Sequence, residues 1–166
     1  MKTMITMMAL ALCINVSFAQ TDMSALLTTY MKVKDALVKS NSKQAATASA
    51  DLLKGIQWAT AFKQKEALLK AVQKLTKETD LEKQRIAFAE VSVVMWEAVK
   101  NDGHLHKDIY YQYCPMKQAY WISEEAAIQN PYYGSVMLTC GNVADKKVHW
   151  DEQAFHFSPP PVHLSR

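Results

Sequence analysis

Between residues 22 and 101 the chain carries one glycine, Gly55, and no proline. A stretch so poor in turn formers cannot be cut into short strands and hairpins, so it must run as a few long elements. Its apolar residues recur every three or four positions, the period of a helix. Leu26, Tyr30, Val33 and Leu37 fall on one face of a first helix. Ser40-Asn41-Ser42 breaks that pattern, and Asn41 with Gln44 forms a capping pair for a second helix with Ala45, Leu52, Ile56 and Ala59 on its inner face. A third helix carries Leu68, Ala71, Val72 and Leu75. Thr79-Asp80-Leu81-Glu82 reads as a capping box for the fourth. There Phe88, Val91, Met95 and Val99 line one face and Ile86, Val93 and Trp96 its flank, which predicts the most buried helix of the set. Gly103 suits the left-handed cap that ends it. Short connections between four such helices predict a mainly α fold, an up-and-down four-helix bundle.

After Gly103 the composition shifts: residues 103–143 hold three of the four glycines, two of the five prolines and most of the tyrosines. Ile109–Tyr113 and Ala119–Ile122 have β-propensity, Asn130-Pro131-Tyr132-Tyr133-Gly134 is a turn, and Val136–Thr139 reads as another extended run. Short strands and loops rich in Cys, Met and aromatic residues are therefore expected to cap the bundle. The cluster of Tyr110, Tyr111, Tyr113, Tyr120, Trp121, Tyr132 and Tyr133 is expected to pack that cap. One domain is expected over 22–143. The polar segment 144–166, with its Ser158-Pro159-Pro160-Pro161 run, is expected to be a loosely ordered tail.

The N-terminus has the form of a secretory signal peptide, residues 1–19: Lys2, then an apolar stretch from Met4 to Phe18, then Ser17-Phe18-Ala19 with small residues at the two positions a signal peptidase reads. An uncleaved anchor is the alternative, against which stands a length short of the ~20 apolar residues a spanning helix needs. Cleavage after Ala19 predicts a periplasmic or secreted protein with no later transmembrane segment. It leaves Cys114 and Cys140, in an oxidising compartment.

Each of those cysteines has a methionine nearby, in Tyr113-Cys114-Pro115-Met116 and in Met137-Leu138-Thr139-Cys140-Gly141. Thiolate and thioether are soft ligands and select Cu(I) and similar monovalent ions over hard cations. Cys114, Met116, Met137 and Cys140 are the candidate metal ligands, with His104 and His106 just upstream as optional imidazoles. The alternative is a disulfide between Cys114 and Cys140, closing a loop of about 26 residues and worth on the order of 3 kcal/mol in the chain-entropy model. The net charge of +3 is too small to suggest nucleic-acid binding. There is no Cys-x-x-Cys pair, no Gly-rich phosphate loop and no His-Glu-x-x-His motif, so no enzymatic role is expected. Ser123-Glu124-Glu125 reads as a helix start.

Asp80, Gln84, Arg85, Phe88 and Ser92, followed by Tyr113-Cys114-Pro115-Met116, Trp121-Ile122-Ser123, Asn130-Pro131-Tyr132-Tyr133-Gly134, Met137 and Cys140-Gly141, resemble the bacterial domain of unknown function 3347. That domain occurs alone in exported proteins and at the C-terminus of CusB-type periplasmic adaptors of copper and silver efflux systems. The resemblance spans roughly residues 25–143. It implies a link to metal handling, with Cu(I) or Ag(I) as the bound ion and an efflux or envelope protein as partner. It favours the soft-metal reading of Cys114, Met116, Met137 and Cys140 over the disulfide. Cys114-Pro115-Met116 also looks like the core of small heavy-metal-binding domains, although Lys117 stands where those often carry His.

Overall fold

The computed structural model describes residues 22–149. The expected signal peptide, the end of the expected tail from residue 150, and with them Cys13, His156 and His163, lie outside the described residues.

Four helices come first: α1 (Met23–Val38), α2 (Ser42–Trp58), α3 (Lys65–Leu75) and α4 (Leu81–Lys100). Each of three starts is fixed by a side chain that accepts from an otherwise orphaned amide. Asp22 accepts from Ala25 N at 2.8 Å and Asn41 from Gln44 N at 3.0 Å. Asp80 accepts from Lys83 N at 3.0 Å. The fourth cap is thus Asp80 rather than Thr79, one residue later than the capping box predicts, and Glu82 turns instead to Arg85. Between α1 and α2 the chain reverses at Ser40, whose φ of 53° is left-handed, with Asn41 N donating to Ala36 O at 2.9 Å.

Consecutive helices pack on one another, and α1 also meets α4. The inner faces read from the sequence are the buried ones: Leu26, Tyr30, Val33 and Leu37; Ala45, Leu52 and Ile56; Leu68, Ala71, Val72 and Leu75; Phe88, Val91, Met95 and Val99. The flank of α4 differs. Trp96 is buried, but Ile86 is 74% exposed and Val93 43% exposed. The wide apolar arc of α4 is covered on one side by helices and β2 and left open along Ile86 and Val93.

A three-stranded antiparallel sheet in the order β2-β1-β3 follows. Its strands are β1 (Ile109–Cys114), β2 (Ala119–Ser123) and β3 (Asn142–Lys147), and the first two form a hairpin across residues 115–118. Two expectations are corrected. Val136–Thr139 is not a strand: Gly134–Val136 make one turn of 3-10 helix, followed by a further turn. The third strand comes instead from Asn142–Lys147, reaching into the segment assigned to the tail. That strand is an exposed edge with no apolar alternation, held by backbone pairing to β1 and by its lysines, Lys146 pairing with Asp108 at 2.7 Å and lying over the Tyr110 ring, and Lys147 donating to Asp102 O. Nothing in its side chains marks it as β.

The sheet is pinned to the helices by Tyr30. Its hydroxyl shares a 2.7 Å hydrogen bond with Ser92 Oγ of α4 and accepts from Ile122 N of β2 at 3.0 Å. Burial pushes this phenol well above its ordinary range. Outside that bolt, Trp96, Tyr111, Tyr120 and Tyr113 stack in series with centroid separations of 4.8, 4.6 and 4.6 Å, which is how the aromatic cluster packs α4 against the sheet.

Candidate functional site

Cys114 is the last residue of β1 and fully buried. The last paired rung between β1 and β3 is Tyr113 opposite Asn142, so the next residues on each side, Cys114 and Gly141, lie alongside. Gly141 has a φ of +151°, and a Cβ there would sit 2.8 Å from the Trp121 ring and 2.8 Å from Tyr113 O. Only glycine lets the loop approach so closely. This approach sets Cys140 beside the end of β1 that carries Cys114, and both cysteines are free rather than bridged. Cys140 is half-buried; its partial burial, then the neighbouring Cys114, push its thiol above the ordinary range.

The loop that carries Cys140 closes on Asn130, a fully buried residue. Asn130 Nδ2 donates to Cys140 O at 2.6 Å, its N to Leu138 O at 2.8 Å, and its Oδ1 accepts from Tyr132 N at 2.8 Å. Its carbonyl accepts from Gly134 N at 3.0 Å. Arg85 of α4 then ties the loop to the helices. Its Nε donates to Pro131 O at 2.9 Å and its Nη2 to Ser40 Oγ at 3.0 Å and Leu37 O at 3.3 Å, while Nη1 pairs with Glu82. Gly134, at φ +58°, packs into the same corner, where a Cβ would lie 2.7 Å from both Ser40 Oγ and Val38 O. Tyr132 completes the mount, donating its hydroxyl to Tyr120 O and edging Trp121 at 6.0 Å. Sequence reasoning saw Asn130–Gly134 only as a turn and passed over Asn130 and Arg85 as positioning residues. The signal available was a polar residue, Asn130, close to Tyr132 and Tyr133, and an arginine three residues before Phe88 and so on the buried face of α4.

The remaining candidates divide. Met116 lies in the β1–β2 turn, 64% exposed, and Met137 follows the 3-10 turn, 37% exposed. Both fall between the two cysteines in sequence, and both are exposed at the surface. The histidines are elsewhere. His104 and His106 are exposed residues before β1, and the His106 ring meets the edge of His149 at 5.1 Å. The length of β1, about 16 Å from Ile109 to Cys114 at ~3.3 Å per residue, separates them from the cysteines. The extended strand thus carries the optional imidazoles away from the site, and neither histidine joins it. Among the described residues no group of three or more His, Cys, Asp and Glu converges. The donor set at this place is therefore two thiols; Met116 is two residues from Cys114, and Met137 meets the site through its carbonyl, which accepts from Cys140 N at 3.1 Å.

Ser123 does not start a helix. Its Oγ accepts from Glu125 N at 3.1 Å in a local turn, and Glu124 pairs with Lys107 at 2.8 Å. Gln112, buried in β1, holds that loop by donating to the carbonyls of Glu125, Ala126 and Ala127.

A family model described as a protein of unknown function (DUF3347) matches residues 26–107. Over that span the chain belongs to the DUF3347 family. The match begins inside α1 and ends just before β1, so it rests on the helices; the thiol pair and the loop around Asn130 lie beyond it. No curated protein and no solved structure matches the chain. Among the described residues no helix is long and apolar enough to cross a membrane.

Proposed function

We propose that this chain is an exported carrier of soft monovalent metal ions, Cu(I) or Ag(I), active in the periplasm or outside the cell. In this reading α1–α4 form an antiparallel up-and-down bundle that presents the site. The supporting observation is that strand register and Gly141 set two unbridged cysteines side by side, one buried and one half-open. Two thiolates at close range suit a low-coordinate soft ion and offer nothing to a hard one. Cys114 and Cys140 are the thiolate ligands. Met116 and Met137, mobile thioethers at the rim, assist loading and release. An efflux or envelope protein receives the ion, and no catalytic step is involved.

The test is an anaerobic Cu(I) titration of the reduced full chain carrying Cys13→Ser, against a chromophoric chelator. One tight site is expected, lost in Cys114→Ser and in Cys140→Ser. Replacement of Met116 and Met137 by Leu is expected to weaken it by about tenfold or less, because thioethers are the weaker ligands. Failure of the reduced protein to bind Cu(I) or Ag(I) ends the proposal.

The same placement also suits a permanent disulfide in a structural module of the envelope. The exposed Val136, Met137 and Leu138 beside it favour docking onto another protein. Counting free thiols in protein isolated without reductant, together with copper tolerance after deletion, separates the readings: two thiols per chain support the carrier, and no thiols with unchanged tolerance support the stapled module.

A further inference from the structure

The two thiols differ in what can reach them. Cys114 sits at the end of a central strand with no exposed surface, whereas Cys140 lies on a surface loop and is partly open. A reagent larger than water meets Cys140 first and cannot touch Cys114 without opening the sheet. Cys114 nonetheless lies beside the segment that carries Cys140, set there by the β1–β3 register and by Gly141. The pair therefore has a built-in order of reaction.

We infer that Cys140 is a site of reversible thiolation by low-molecular-weight disulfides, which Cys114 then resolves into an internal disulfide. In the first step the Cys140 thiolate attacks one sulfur of the external disulfide. A bond forms between them, the external S–S bond breaks, and the departing thiolate takes up the proton that Cys140 gave. In the second step Cys114 gives up its proton and attacks the Cys140 sulfur. The internal S–S bond forms, the mixed one breaks, and the second small thiol leaves with that proton. Two protein thiols are oxidised and one external disulfide is reduced to two thiols. Resting on the proposed carrier function, this oxidation also closes the metal site, since a disulfide has no thiolate to offer.

The test uses the full chain with Cys13→Ser in every sample, reduced, then exposed to excess oxidised glutathione and followed by mass spectrometry. The parent should end with the loss of two hydrogens and no adduct. Cys114→Ser should stop as a stable adduct of one glutathione, mapped to Cys140. Cys140→Ser should react at least about tenfold more slowly, because its one remaining thiol is buried. In denaturant the two variants should react at equal rates. Should Cys114→Ser fold poorly, Cys114→Ala replaces it. Equal reactivity of the two folded variants, or a parent that keeps its adduct without closing, overturns the inference. Cu(I) titration of the reduced and oxidised parent keeps the two proposals apart. Exchange without binding by the reduced form sinks only the carrier; binding without ordered exchange sinks only this inference.

Discussion

A single hydrogen atom in place of a side chain at residue 141 lets the two cysteines lie side by side. In Gly141→Ala the new Cβ would collide with the Trp121 ring and the backbone of β1, at a backbone angle that L residues rarely adopt. The expected cost is about 1–3 kcal/mol, read as a lower denaturant midpoint. The more specific outcome is loss of closure: Cys140 in this variant should hold its glutathione adduct instead of passing it to Cys114. Asn130→Ala would leave Cys140 O and Tyr132 N without their side-chain partners in a buried place. A loss of roughly 1–3 kcal/mol is expected from the unsatisfied groups, measured by urea unfolding with the two thiols reduced. A stability unchanged within error would show that Asn130 is not the clasp of this loop.

At the scale of elements, one side chain joins three of them. Tyr30 reaches from α1 to α4 and β2 through one oxygen, and Phe88 stacks on its ring at 5.0 Å. Tyr30→Phe keeps the ring and removes the bolt, leaving Ile122 N and Ser92 with one partner fewer. Destabilisation of about 1–3 kcal/mol is expected, and amide exchange should accelerate at Ile122 more than in the helix interiors. Uniform acceleration would argue against a local bolt. Helix existence was legible at this scale because Leu26–Leu37 and Phe88–Val99 repeat at the helical period over several turns. The strand β3 was not legible. Its residues are mostly exposed with no apolar alternation, and what places it, the free edge of β1 and the partners of Lys146 and Lys147, lies far away in the sequence.

Across the whole molecule, protons report the fold. Burial, then the neighbouring Tyr120 and Glu97, raise the Tyr111 phenol to about 12 from an ordinary 10.0. Burial also raises Tyr30 and Tyr132. These phenols hold their protons longer in the folded chain than in the unfolded one. Their contribution is complete below the unfolded value near 10.0 and is lost as pH climbs toward 12. Denaturant midpoints should thus stay level from neutral pH to about 9 and fall above 10, while phenolate absorbance rises in step with unfolding. Full titration of every tyrosine near 10 in folded protein would contradict the packing described.

Periodicity carried the four helices, because a face is decided by residues three and four apart; of the caps read from the sequence only Asn41 holds, since α4 starts on Asp80 rather than Thr79 and Gly103 does not take the left-handed angle expected of it. The types of atom available for chemistry, two thiols and two thioethers within residues 114–140, were equally a property of the sequence. Which of them meet was not. Pro115 beside Cys114 and Gly141 beside Cys140 hint at constrained loops, but the convergence depends on strand register, on Asn130 closing its loop and on Arg85 holding that loop to α1. The exclusion of His104 and His106 likewise follows from β1 being extended. These are long-range pairings, set by backbone hydrogen bonds and burial between segments far apart in the chain, and they exist only once the helices and the sheet have packed.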